Sequence, residues 1–198
     1  MSKKLGTLFV VAGPSGSGKS SIIRKMLELF PGELVEQVTH TTREPRPGEI
    51  PGKDYVFESR ASFMGKVAEG FFLEHATVHG NLYGTPMLAL RKKLETGLAV
   101  IMDIDIQGAA QVRGCPDSII KGTLTSVFVT VSDPQVLRRR IEQRPGSTPE
   151  STERRMSAAV QEIAEASKFH HVIVNDELCV AVDAMEQIIK PQLRGAFV

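Results

Sequence analysis

A glycine, four residues, a second glycine and then Lys-Ser make up Gly13-Pro14-Ser15-Gly16-Ser17-Gly18-Lys19-Ser20. Glycines at this spacing let successive backbone N–H groups converge on a polyphosphate, and a helix starting at the lysine adds the partial positive charge of its N-terminus. Lys19 would neutralise the β- and γ-phosphates, and the Ser20 hydroxyl would ligate Mg²⁺. A merely flexible Gly/Ser turn leaves Lys-Ser at the helix start without a purpose. The eight residues therefore point to a nucleoside triphosphate, without saying where its phosphoryl group goes, since motors, GTPases and kinases all use such a cradle.

A second group could hold an acceptor. Arg43 and Arg46 lie three apart in a segment stiffened by Pro45 and Pro47, with Tyr55 beyond. Two forked guanidinium groups at fixed separation suit a phosphate dianion. Asp103 and Asp105 close an apolar run, where an open α/β sheet presents ligands. Arg140 and Arg144 lie four apart, as on one face of a helix.

Elements that could position these residues are readable from periodicity. Thr7 to Ala12 is a continuous apolar, β-branched run, the pattern of a strand buried on both faces. Ile22, Ile23, Met26, Leu27 and Phe30 recur at helical spacing, and Pro31-Gly32 ends that helix. Leu98–Met102 and Leu124–Val131 read as further buried strands and Val172–Val174 as a short one. Asp133-Pro134 predicts a cap and first turn. Ser147-Thr-Pro-Glu150 has the capping-box pattern and predicts a helix to about Lys168, and Leu178 to Leu193 an amphipathic one. Strands alternating with helices imply an α/β fold with a parallel sheet covered on both faces. The rhythm breaks between Thr39 and Thr96, rich in Pro and Gly, which reads as an inserted mixed lobe. A shorter Arg-, Pro- and Ser-rich insertion spans about 144–155. The core is then 1–38 and 97–198 within one domain.

Composition narrows the classes. The chain has 198 residues, 41% hydrophobic and 24% charged, enough for one packed domain. Lys plus Arg number 24 against 23 Asp plus Glu, a net charge of +1, which argues against a dedicated nucleic-acid or membrane-surface binder. Two cysteines, Cys115 and Cys179, are too few for a disulfide scaffold. The apolar run after Met1-Ser2-Lys3-Lys4 is too short for a signal sequence or a membrane span. A cytoplasmic protein is expected.

Taken in order, these segments resemble the guanylate kinase family over nearly the whole chain. The likeness runs from the glycine loop through His40-Thr-Thr-Arg43-x-Pro-Arg46-x-Gly-Glu49 and Gly52-x-x-Tyr55-x-Phe57. It continues in Phe72-Leu-Glu74-His-Ala, His79-Gly-Asn-x-Tyr83-Gly-Thr85 and Asp103-Ile-Asp105-x-Gln-Gly108. It ends with Arg140-x-x-x-Arg144, Arg155 and Val172-Ile-Val-Asn175-Asp.

The resemblance implies the fold of a P-loop kinase and phosphorylation of GMP, and of dGMP, by ATP with Mg²⁺. It implies that Arg43, Arg46, Tyr55 and Tyr83 hold the GMP phosphate. Glu74 would accept from the guanine N1–H and 2-amino group, and Thr39 and Thr85 would donate to O6 or N7. Asp103 would contact Mg²⁺ or its water and Asp105 the acceptor nucleotide. Arg140, Arg144 and Arg155 would form a lid over ATP, and Asn175 would meet adenine. At Thr39 the family usually has Ser, so the hydroxyl is kept. His170-His171 is expected to be structural. The rivals are a catalytically dead interaction module, which would lack Lys19, Ser20 or the arginines, and a kinase for a different monophosphate. Lobe and lid are expected to close inward on the substrates.

Overall fold

The computed structural model describes residues 5–78, 80–144 and 146–194; His79 of the quoted motif and Pro145 of the expected lid lie outside them. In the middle of the larger sheet runs β1 (Leu8–Ala12), every residue of it buried. It pairs in parallel with β7 (Ala99–Asp103) on one side and β8 (Leu124–Thr130) on the other. Outside these lie β2 (Leu34–Glu36) and β9 (His171–Val174), both parallel to their neighbours, giving the order β2-β7-β1-β8-β9. A strand flanked on both edges and covered on both faces must be apolar throughout, which is why β1 shows no polar alternation.

Alternate β1 residues feed opposite layers. Phe9 and Val11 pack with Ile22 and Met26 of α1 (Lys19–Leu29) and with Met185 and Ile189 of α8 (Leu178–Arg194). Leu8 and Val10 face Leu90 and Leu94 of α3 (Met87–Glu95), Val112 of α4 (Ile106–Gly114) and Ile120 of α5 (Ser118–Thr123). Thus α3, which the sequence places inside the inserted lobe up to Thr96, covers the core sheet.

The insertion forms a second sheet, ordered β4 (Tyr55–Phe57), β3 (Thr39–Thr41), β6 (Asn81–Pro86) and β5 (Phe72–Val78). It mixes parallel and antiparallel pairs. Its own core is small: Phe63 of α2 (Arg60–Ala68) stacks on Phe72 at 4.5 Å, over Gly84, where a Cβ would lie 2.9 Å from both rings. An ion cluster supplements it, with Glu58 bonded to His40 (2.7 Å) and to Lys66 (2.6 Å).

Two helices extend past β8. Asp133 caps α6 (Pro134–Glu142) by accepting from the Gln135 N–H, as the Asp-Pro pair predicts. For α7 (Pro149–Ala164) the capping register differs from the expected Ser147/Glu150 by one residue. Thr148 is the N-cap and exchanges bonds with Ser151. Pro149 decides this, because a residue with fixed φ and no N–H fits the first helical position, which makes its predecessor the cap. The helix also stops at Ala164, and a 3₁₀ turn, Ala166–Lys168, covers the stretch predicted as its last turn. His170 and Ser126 exchange two hydrogen bonds, each 3.1 Å, joining the start of β9 to β8.

Removing the cap tests this register. Thr148→Ala should lower the free energy of unfolding by about 1 kcal/mol in urea titrations, and Thr148→Ser should leave it within about 0.5 kcal/mol.

Candidate active site

The parallel register puts Val11 beside Asp103 and Ala12 beside Phe128, so the loop after β1 emerges between the ends of β7 and β8. Gly13 has φ +140°, and a Cβ there would sit 2.1 Å from the Val129 carbonyl oxygen. Gly16 and Gly18 also have positive φ. No side chain caps α1, whose N-cap is Gly18, which leaves its first-turn donors to an anion. Lys19 curls back over the loop and donates from Nζ to the carbonyls of Gly13 (2.6 Å) and Pro14 (3.2 Å). The Ser20 hydroxyl donates to Asp103 Oδ2 at 2.8 Å. A hydroxyl and a carboxylate, both hard oxygens, therefore already stand together at the loop.

Asn175 and Arg140 take places other than those expected. The Asn175 side chain is buried at 3% exposure, and its Nδ2 donates to the Ser17 carbonyl at 2.6 Å. It braces the loop through that carbonyl. The Arg140 guanidinium donates to the main-chain carbonyls of Asn175 (2.9 Å) and Asp176 (3.2 Å), with Gly16 O at 3.5 Å. It ties α6 to the loop and to the end of β9. Neither placement follows from sequence, because both depend on contacts more than 30 residues away.

Arg144 reaches the loop directly, with Nη1 3.3 Å from Ser15 Oγ. Burial, then the like charges of Arg155 and Arg46, hold its pKa below the ordinary arginine value, and Asp103 opposes them. Cations from the turn after α6, from α7 and from the second sheet's β3–β4 connection thus act at one place. Arg155 also lines, with Arg154, Ser151 and Gly80, a cavity of about 500 Å³ between α7 and the β5–β6 turn.

On the lobe, Arg43 is held firmly. Its Nη2 donates to Glu49 at 2.8 Å, its Nη1 to the Glu44 carbonyl at 2.7 Å, and its guanidinium lies 5.3 Å from the Tyr55 ring centre. Glu49 is the leading cause that raises the Arg43 pKa, with Tyr83 adding to it. The other Glu49 oxygen accepts the Arg46 main-chain N–H at 2.8 Å, leaving the Arg46 side chain exposed. Glu49 is a residue that the sequence argument passes over, and its signal is an acid three residues after Arg46 in the same turn. Tyr55 and Tyr83 meet edge to face at 6.1 Å, and Thr39 pairs with Tyr55 across β3–β4.

Glu74 lies deepest. It is 3% exposed, on β5, and its Oε1 accepts from Thr85 Oγ1 on β6 at 2.6 Å. Burial pushes its pKa from 4.5 up to about 7; Asp105 adds to this and the Thr85 hydrogen bonds oppose it. Asp105 caps α4, accepting from the Gly108 N–H at 2.8 Å. Its own pKa is raised by burial and lowered by that bond and by Lys19. Glu162 of α7, which sequence reasoning also passes over, is pushed up by burial, with Lys19 opposing and Asp105 adding.

The raised pKa of Glu74 has a stability consequence with a definite sign. Between its unfolded value near 4.5 and its folded value of about 7, the folded state binds the extra proton, so this group's contribution falls as pH rises through that window. Urea titrations of wild type and Glu74→Gln should show the wild type losing ground to the variant between pH 4.5 and 7 and no further above it. A constant difference across that range would contradict the assignment.

Comparison with known proteins identifies the family. The family model described as guanylate kinase matches residues 5–192. The guanylate kinase of Rubrobacter xylanophilus is 42% identical over 191 residues, covering 96% of each chain. That of Gloeobacter violaceus is 41% identical over 186 residues, 93% of this chain and 87% of its own. The crystal structure of guanylate kinase from Anaplasma phagocytophilum superposes with a TM-score of 0.77 at 29% identity, over 96% of this chain and 88% of that one. With its glycine loop, paired arginines and buried acid in this arrangement, the chain belongs to the guanylate kinase family.

Proposed function

We propose that this chain catalyses ATP + GMP ⇌ ADP + GDP, with residues 13–20 holding the triphosphate and the lobe of residues 39–86 holding the acceptor. The observation that carries this reading is Arg144 standing on the glycine loop, 3.3 Å from Ser15 Oγ, where Arg155, Arg46 and Asp103 all act on its charge. Like charges gathered at one place call for anions between them, and two phosphate groups meeting end to end supply those.

The acceptor is bound at both ends. Arg43, Arg46, Tyr55 and Tyr83 grip its phosphate, and Glu49 holds Arg43 in the posture for it. Glu74 accepts from the guanine N1–H and 2-amino group, while Thr39 and Thr85 donate to its other edge. Adenine offers neither of those donors to Glu74. A site built around paired polar groups rejects such an analogue by as much as ~10⁴-fold. Recognition through base and phosphate leaves the ribose 2′ position unread, so dGMP is accepted too.

An oxygen of the GMP phosphate attacks the γ-phosphorus, forming one P–O bond as the bond to the β-bridging oxygen breaks and ADP leaves. The attacking oxygen is already ionised at neutral pH, so no general base is needed. Lys19, Arg144 and Arg155 spread the charge of the transferring group. Ser20 and Asp103 fit Mg²⁺, a hard ion that takes few protein oxygens and completes its shell with phosphate and water. Bound there, it would neutralise charge on the triphosphate. Arg140 and Asn175 act through the loop that they brace. Residues 144–155, carrying Arg144 and Arg155, and the 39–86 lobe close toward each other and exclude water. The cytoplasm, where ATP and Mg²⁺ are abundant, is the fitting compartment. No helix among the described residues is long and apolar enough to cross a membrane.

An ADP-release assay with GMP, AMP, UMP and CMP should give turnover with GMP far above the rest. No turnover with any acceptor would identify an interaction module instead. Glu74→Gln should lower kcat/KM for GMP about 100-fold and leave the KM for ATP within about twofold. Because guanine requires the carboxylate, GMP binding near pH 7 should release a proton, seen as a buffer-dependent heat in calorimetry.

A further inference from the structure

The guanine-reading carboxylate does not stand alone on β5. Its Oε2 packs against the bare Cα of Gly108 in the first turn of α4, where a Cβ would lie 2.5 Å from that oxygen and 3.2 Å from Cδ. Gly108 has no positive φ that demands glycine, so the demand comes from Glu74. Three residues on, along the same helix face, Gln111 bonds to the main chain of the next β5 residue. Its Nε2 donates to the His75 carbonyl at 2.7 Å, and its Oε1 accepts the His75 N–H at 3.1 Å. Strand β5 is the edge of its sheet, so these two groups have no strand to pair with. The side-chain amide offers the donor and acceptor that a neighbouring strand would have offered. The same helix begins directly after Asp103 and is capped by Asp105, so it is anchored at the end of β7 beside the phosphate loop.

We propose that Gly108 and Gln111 are positioning residues that set the Glu74 carboxylate at a fixed distance from the phosphoryl-transfer centre, with α4 as the spacer. Gln111 fixes the height of β5 against the helix, and the missing side chain at 108 leaves the pocket into which Oε2 fits. A methyl group at 108 drives the carboxylate away from the helix and off the line on which it meets the two guanine donors. The inference rests on the guanine-reading role given to Glu74 above.

The test is a double-mutant cycle read as Michaelis constants, with thermal unfolding to check each variant's fold. Gly108→Ala should raise the KM for GMP at least about tenfold and leave the KM for ATP within about twofold. Alanine forms helix more readily than glycine, so lost helix cannot be the cause. In a Glu74→Asp background, whose shorter acid withdraws from the helix, adding Gly108→Ala should change the KM for GMP by no more than about twofold. Equal losses in both backgrounds, or an equal rise in the KM for ATP, overturn the proposal and leave the guanine reading standing. A Glu74→Asp enzyme with the wild-type KM for GMP overturns both. Should Gly108→Ala fail to fold, Gln111→Met carries the test. It keeps the length without the two bonds and should raise the KM for GMP about three- to tenfold, and a value within about twofold of wild type overturns the proposal.

Discussion

Close parallel packing at the end of β1 is the constraint from which the rest of the site follows. Gly13 lies so near the Val129 carbonyl that no side chain fits, and this forces the loop to turn over the tops of β7 and β8. Once it turns there, Lys19 and Ser20 open α1 beside Asp103, and the Ser20–Asp103 contact needs no further device. The contact with Val129 also fixes which way the loop amides point, because Asn175 and Arg140 then hold the loop's carbonyls from the other side. With the Gly16 and Ser17 carbonyls held from that side, the loop can turn N–H groups toward a polyphosphate.

The same cleft is under electrostatic tension before any substrate arrives. Arg144 is disfavoured in its charged form by burial and by two other arginines, and only Asp103 relieves it. Arg140 braces the Asn175 and Asp176 carbonyls, whereas the cations near the cleft include, besides Arg43, which Glu49 holds in place, Arg46, Arg144, Arg155 and Lys19. They come from four different segments, so an anion that satisfies all of them must draw those segments together. On the proposed reading, closure and catalysis would then share one cause, the charge on the transferring group.

Legibility in the sequence tracks burial. Strands β1, β7 and β8 declare themselves because both their faces are covered, which leaves continuous apolar runs. Strands β3 and β4 are three residues long, Thr39–Thr41 and Tyr55–Phe57, and only partly buried, so no period has room to show. For the site, the glycine loop is readable because its backbone geometry restricts residue type. Arg43 and Arg46 are readable as a phosphate grip from their spacing between prolines, whereas Glu74, Tyr83, Thr39 and Thr85 need the family resemblance, since isolated residues carry no pattern. Asn175 and Arg140 were readable as polar but not as braces. Their partners are main-chain carbonyls, which any residue could supply, and sequence is silent about those. The α7 cap shows the opposite failure, in which a real pattern at Ser147–Glu150 is overruled by the fixed φ of Pro149.

Glu74 shows why selectivity and stability conflict within this lobe. A carboxylate can discriminate between bases only if water cannot replace a missing partner, so it must be buried. Burial is also what raises its pKa to about 7, and the nearby Asp105 adds to the cost of ionising it. Thr85 lowers that cost, but its hydroxyl offers a single proton to one of two oxygens. The second oxygen rests on Gly108, which offers space and no donor. That oxygen is left open to a donor from outside the protein, which guanine would bring under the proposed reading. On that reading, the cost of burying this acid is what would make it sensitive to the donors a base brings.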